Sequence, residues 1–130
     1  MIRARKRFGQ HFLEPAWRAK VIDLCAVQPG DQVIEIGPGA GALTFELASR
    51  AARVLAIEID RDLAASLAAR APATLQVVTG DFLDQRWPAL LDGWHGYDAA
   101  VPVRVVGNLP YNVSSPILFR LLEVARGAAG

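Results

Sequence analysis

The sequence predicts an α/β domain: a parallel sheet flanked by helices and wound in the right-handed sense. Three observations carry that expectation. Four short runs rich in β-branched residues recur along the chain, helical patterns fill the intervals between them, and a glycine cluster sits directly behind the first run. Each run is apolar enough to be covered on both faces, as parallel strands are. Regular alternation of strands and helices is the signature of βαβ units.

Taken in order, the chain opens with a basic arm over residues 1–14, followed by a helical pattern over Pro15–Ala26. The first strand is expected over Gln32–Ile36 and a helix over Leu43–Arg50, just after the glycine cluster. A second strand, Arg53–Ile57, leads into a helix over Arg61–Arg70, where Leu63 and Leu67 stand at i, i+4 spacing. The third strand is expected over Thr74–Thr79. Between Leu83 and Ala100, Trp87, Pro88, Gly93, Trp94, Gly96 and Tyr97 break any period, which predicts a short helix inside a long connection. The fourth strand is expected over Val103–Val106. A closing helix is expected over Pro116–Arg126, with Ile117, Leu118, Leu121 and Leu122 on its apolar face. Doubly wound sheets usually continue past a fourth strand, so the remaining strands are expected outside this sequence.

Bulk properties bound the function. A chain of 130 residues is one domain's worth, and 52% hydrophobic with 21% charged residues describes a globular protein rather than a disordered one. No apolar run approaches the roughly 20 residues of a membrane-spanning helix. The net charge of +1 conceals an asymmetry. Arg3, Arg5, Lys6, Arg7, Arg18 and Lys20 face only Glu14 in the first twenty residues, whereas the remainder is acidic. Such a balance fits a polyanion held at one edge, or simply a solvated terminus. Cys25 is the single cysteine, which rules out an internal disulfide and predicts a buried, inert thiol. His11 and His95 are far apart with no ligand-spaced partner, so no metal is expected. The expected location is the cytoplasm.

The segment Val33–Gly41 reads as a strand running into a glycine-rich turn before a helix. Glycine serves where the backbone turns tightly or where a ligand must approach without a Cβ in the way. Gly37, Gly39 and Ala42 also fit the dinucleotide fingerprint, and a purely structural turn is a third reading. Context favours S-adenosyl-L-methionine. Pro38 lacks an N–H and would weaken a phosphate cradle, whereas this methyl donor has no phosphate. Glu35, near the end of an otherwise apolar strand, can contact the donor's amino-acid portion or orient the loop. Glu58 ends the second strand, where a carboxylate can accept both ribose hydroxyls. Asp60 and Asp62 are better read as charges at a helix N-terminus. At the third strand's end, Asp81 can accept from an adenine amine while Phe82 packs on the ring.

The fourth strand ends in Asn108-Leu109-Pro110-Tyr111. An exocyclic adenine amine is a poor nucleophile because its lone pair is delocalised into the ring. The Asn108 side-chain oxygen and the Leu109 carbonyl can accept its hydrogens and favour a tetrahedral nitrogen. Pro110 stiffens the turn, and Tyr111 offers a flat face to a base taken out of its stack. Alone, this motif would be an ordinary Asn-Pro turn; one strand beyond an adenosine pocket, it reads as a catalytic site.

Three segments together, Arg7–Leu13, Glu35–Gly41 and Asn108–Tyr111, with Glu58 and Gly80-Asp81-Phe82 in order between them, resemble the ribosomal RNA adenine dimethyltransferase family. The resemblance implies a Rossmann-like class I methyltransferase sheet, of which about four parallel strands with flanking helices, the N-terminal portion, lie in 15–130. It implies that the arm over residues 1–14 closes over the cofactor with contacts from His11 and Leu13. It further implies donor contacts at Gly37, Glu58, Asp81 and Asn108, and target-base handling by Asn108, Leu109 and Tyr111; Gly39 is a cofactor-site candidate from the glycine loop itself. Relatives often carry Asn where this chain has His11. The implied partner is small-subunit ribosomal RNA or a pre-ribosomal particle, met by the basic arm of a monomer. Family members continue into further strands and a helical RNA-gripping domain. Competing expectations are a 23S rRNA enzyme of the antibiotic-resistance type, a non-catalytic RNA-binding assembly factor, and a nicotinamide-dependent dehydrogenase.

Overall fold

A computed structural model describes residues 15–107 and 122–124. In chain order the elements are α1 (Pro15–Cys25), β1 (Gln32–Ile36), α2 (Thr44–Arg50), β2 (Arg53–Glu58), α3 (Arg61–Ala69), β3 (Leu75–Thr79), a 3-10 turn (Phe82–Asp84), α4 (Trp87–Asp92), β4 (Val103–Gly107) and β5 (Leu122–Val124). The four anticipated strands fall within a residue of their expected bounds. So do the three helices expected before β3.

The sheet runs β3-β2-β1-β4-β5, with β1 to β4 mutually parallel. Winding proceeds outward from β1 through β2 to β3, then jumps back to place β4 on the other side of β1. That reversal opens a crevice at the carboxyl ends of β1 and β4, where doubly wound sheets bind ligands.

Period-two alternation distributes the strands' side chains to two cores. On one face Val33, Val54, Ala56, Leu75 and Val106 pack against Val21, Ile22 and Cys25 of α1 and Leu47 and Ala48 of α2. On the other face Ile34, Leu55, Ile57, Val103 and Val105 pack against Leu90 and Leu91 of α4 and the buried Trp94. A sheet covered on both sides explains why its strands read as continuous apolar runs.

Polar side chains set the element ends. Asp60 caps α3, its Oδ1 accepting from the amides of Asp62 at 2.9 Å and Leu63 at 3.0 Å. Arg104 of β4 reaches the end of α1, donating to the Cys25 carbonyl at 2.7 Å and the Ala26 carbonyl at 3.2 Å while pairing with Asp31 at 2.8 Å. Gln32, fully buried at the start of β1, donates to the carbonyls of Asp98 and Val101 at 3.0 Å each and accepts from Arg53 and the Asp98 amide.

One expectation is overturned. Leu122–Val124, placed in the closing helix over Pro116–Arg126, is a strand instead, antiparallel to β4 with Val103 opposite Val124 and Val105 opposite Leu122. The outer edge of β4 carries backbone donors and acceptors that need partners. The Leu-Glu-Val triplet alternates with the two-residue period that suits such pairing. The rest of that expected helix lies outside the described residues.

Candidate functional site

Register brings the strand tips level. Ile36 of β1 pairs with Ile57 of β2 on one side and Gly107 of β4 on the other, while Glu58 pairs with Thr79 of β3. Gly37, Glu58 and Gly80-Asp81 therefore start at the same edge of the sheet, and Asn108 follows directly on Gly107. The side chains of Asn108–Tyr111, like His11, Leu13 and the basic residues Arg3, Arg5, Lys6 and Arg7, lie outside the described residues.

The glycine loop behind β1 is a tight reversal with Gly37 at φ 71°, Gly39 at φ 61° and Gly41 at φ 96°, a left-handed backbone that side chains rarely adopt. Its amides turn inward. Gly37 donates to the Ile57 carbonyl at 3.0 Å, Gly41 to the Pro38 carbonyl at 3.0 Å, and Gly39 to Oε1 of Glu58 at 2.8 Å. Pro38 has no amide hydrogen. Beyond Gly39 lies open space: a Cβ there would meet nothing within 4 Å. At Gly41 a Cβ would lie 2.5 Å from Leu67 Cδ2 and 2.6 Å from Phe45 Cε2, so that glycine lets the loop lie on α2 and α3.

Glu58 is 5% exposed and latches the loop from β2. Its Oε2 accepts from the Asp60 amide at 2.9 Å while Oε1 holds Gly39. An ionised carboxylate has about four acceptor sites, so two amides leave it capacity for hydroxyl donors. Glu35 is 1% exposed, and its Oε1 accepts the Thr44 hydroxyl at 2.6 Å, at the first residue of α2. Of the two readings of this residue, donor contact and loop orientation, the buried geometry serves the second. Burial pushes its carboxyl up to about 7, against the lowering effect of the Thr44 hydroxyl and with a further push from the Glu58 charge.

At the tip of β3, Asp81 caps the 3-10 turn, accepting from the Leu83 amide at 2.9 Å through Oδ1. Phe82 is half-buried and meets Trp87 edge-on, ring centres 5.8 Å apart. Ile59 and Leu83, 65% and 85% exposed, stand beside Glu58 and Phe82 as apolar surface on the same rim. Sequence reasoning missed Ile59 and Leu83, as well as Thr44 and Arg70. Apolar residues where a solvated turn is expected, Ile59 directly after Glu58 and Leu83 behind Phe82 after Asp81, are the signal for the first two. Among the described residues no three His, Cys, Asp or Glu side chains group to hold a metal.

Comparison with known proteins agrees with this architecture. The family model for ribosomal RNA adenine dimethylase matches residues 1–129. The ribosomal RNA small subunit methyltransferase A of Leptothrix cholodnii is 48% identical over 120 residues, 92% of this chain and 42% of that protein. The protein of the same name from Variovorax paradoxus is 49% identical over 123 residues, 94% of this chain and 46% of that one. This chain thus spans less than half the length of these relatives. Among solved structures, a dimethyladenosine transferase from Plasmodium falciparum superposes with a TM-score of 0.55 at 27% identity, over 79% of this chain and 34% of that one. The 23S rRNA methyltransferase ErmE gives 0.54 at 27% identity, over 74% and 47%. An RNA methyltransferase from Salinibacter ruber, solved with S-adenosyl-L-homocysteine, shares the fold at 0.51 and 19% identity, over 70% and 74%. With a Rossmann-like methyltransferase sheet and a family match along almost its whole length, the chain belongs to the ribosomal RNA adenine dimethylase family.

Proposed function

We propose that this chain is the S-adenosyl-L-methionine-binding part of an rRNA adenine N6-methyltransferase that dimethylates adenines of small-subunit rRNA. One observation supports the cofactor above all: the inward-turned amides of the glycine loop. A dinucleotide needs free N–H groups around its pyrophosphate. Here three of those groups are spent on protein acceptors, and Pro38 has none. One of the acceptors is the Glu58 carboxylate, which would repel a phosphate. The methyl donor carries no phosphate, so the same loop fits it through the open space over Gly39.

In this reading Glu58 uses its spare lone pairs on the ribose hydroxyls, and Asp81 accepts from the adenine amine with the oxygen its cap leaves over. Phe82 and Ile59 offer apolar surface to the ring. Bound there, S-adenosyl-L-methionine supplies an electrophilic methyl group on a cationic sulfur. The chain's own contribution to transfer is alignment. Asn108 and Leu109 accept the target amine's hydrogens, Pro110 fixes the turn, and Tyr111 supports the base. The amine's proton becomes acidic as nitrogen is alkylated and needs no dedicated base. His11 and Leu13 belong to the segment that closes over the donor. Arg3, Arg5, Lys6 and Arg7 meet rRNA phosphates in the cytoplasm, the working unit being a monomer. No helix among the described residues is long and apolar enough to cross a membrane.

The test has two arms. Calorimetry with S-adenosyl-L-homocysteine and with NAD is expected to show binding of the first alone; binding of NAD alone would overturn the cofactor. For activity, residues 1–129 are grafted onto the remainder of a longer relative and assayed on separated ribosomal subunits. Methyl transfer to the small subunit, lost in Asn108→Ala, is expected. Transfer only to the large subunit would make it a 23S enzyme, and donor binding without transfer would favour an assembly factor.

A further inference from the structure

We propose that Arg70 is a positioning residue for the donor loop, clamping it from outside while Glu58 latches it from the sheet; the proposal rests on the cofactor reading above. Arg70 caps the C-terminal end of α3, and part of its fork serves that helix: Nε donates to the Ser66 carbonyl at 3.2 Å and Nη2 to the Ser66 hydroxyl at 3.3 Å. The same Nη2 crosses to the glycine loop and donates to the Ala40 carbonyl at 3.1 Å, thirty residues away in sequence. Helix capping alone requires no such contact.

The guanidinium also lies 4.9 Å over the ring of Phe45 in α2. Phe45 and Leu67 are the two side chains against which Gly41 is pressed. Arg70, Phe45 and Leu67 thus surround the outer side of Ala40-Gly41. On the inner side Gly39 is held by Glu58. One contact restrains the loop by the Gly39 amide, the other by the carbonyl of the next residue, Ala40.

A loop of glycines needs such restraint because its unconstrained backbone has more conformations to lose than that of any other residue type. Ordering it before the ligand arrives removes that loss from the binding step. Arginine suits the task because its planar fork can hold Ser66 and Ala40 together while stacking on a ring; lysine offers a single ammonium and no plane.

The experiment pairs a donor-free measurement with a donor-binding one. Amide hydrogen exchange of the free chain is compared with that of Arg70→Ala, Arg70→Lys and the control Arg61→Ala, at the far end of the same helix. Arg70→Ala is expected to exchange roughly tenfold faster at Gly39 and Gly41, with core strands unchanged. Its affinity for S-adenosyl-L-homocysteine should weaken by roughly the same factor, Arg70→Lys should recover part of both effects, and Arg61→Ala should match the parent. Loop exchange in Arg70→Ala within twofold of the parent overturns the clamp, as does loosened exchange with unchanged affinity. Faster loop exchange in a chain whose parent binds no donor overturns the cofactor reading instead. If Arg70→Ala fails to fold, Arg70→Lys carries the same comparison.

Discussion

Replacing Glu35 by glutamine should abolish a pH-dependent loss of stability that this one side chain imposes on the fold. Glu35 lies on β1 between Ala56 of β2 and Val106 of β4 in register, both fully buried, so its carboxyl has apolar neighbours on either side. That burial carries it from an ordinary 4.5 to about 7 in the folded protein. The folded state therefore holds the proton more tightly than the unfolded state does. Its contribution is fully present below pH 4.5 and is lost as pH rises to about 7, because only the unfolded chain ionises freely in that window. Each pH unit between the two values corresponds to about 1.4 kcal/mol, so the total is about 3 kcal/mol. Glutamine keeps the shape, cannot ionise, and can still accept from Thr44. Urea unfolding of both proteins, followed by tryptophan fluorescence from pH 4 to 8, measures the difference directly. The parent should lose about 3 kcal/mol relative to Glu35→Gln between pH 4.5 and 7, while the titrations common to both cancel. A difference flat across that window, or one that favours the parent as pH rises, would refute the burial argument.

Two further outcomes are expected. Cys25, the last residue of α1, is buried against the sheet, and its thiol is pushed up to about 11 by that burial, against the lowering effect of Arg104 and with a small push from Glu35. Ellman's reagent at pH 8 should therefore leave it unmodified until urea is added, and prompt reaction of the native protein would contradict its placement. Gly41→Ala combines a Cβ 2.5 Å from Leu67 with a backbone at φ 96°, and should destabilise the chain by about 2 kcal/mol or more in thermal unfolding. A melting temperature equal to the parent's would show that the loop does not lie on α3 as described.

The parts of the fold legible in the sequence are those set by local pattern. Val33-Ile34, Val54–Ile57 and Val103–Val106 are too apolar and too β-branched for anything but strands covered twice, and Asp60 announces α3 by capping it. What escaped was tertiary. Leu122–Val124 carries a period-two pattern too short to outweigh the leucine spacing before it; an open strand edge decided its state. Glu58 read as a ligand contact, yet it also latches Gly39, a partner that only the packed loop reveals. Thr44 and Arg70 look like ordinary helix residues until α2 and α3 close on the loop. Glu35 was ambiguous because a buried acid and a ligand-facing acid have the same letter.

The three bonds that Arg104 sends to Asp31 and to the last carbonyls of α1 make that helix a fixture of the sheet. The helix can neither slide nor roll without stripping a cation of its partners. Arg104 thus ties the carboxyl end of α1 to β4, the strand that runs on into Asn108. The connection between α1 and β1 and the strand β4 share one frame of reference, set by a single guanidinium.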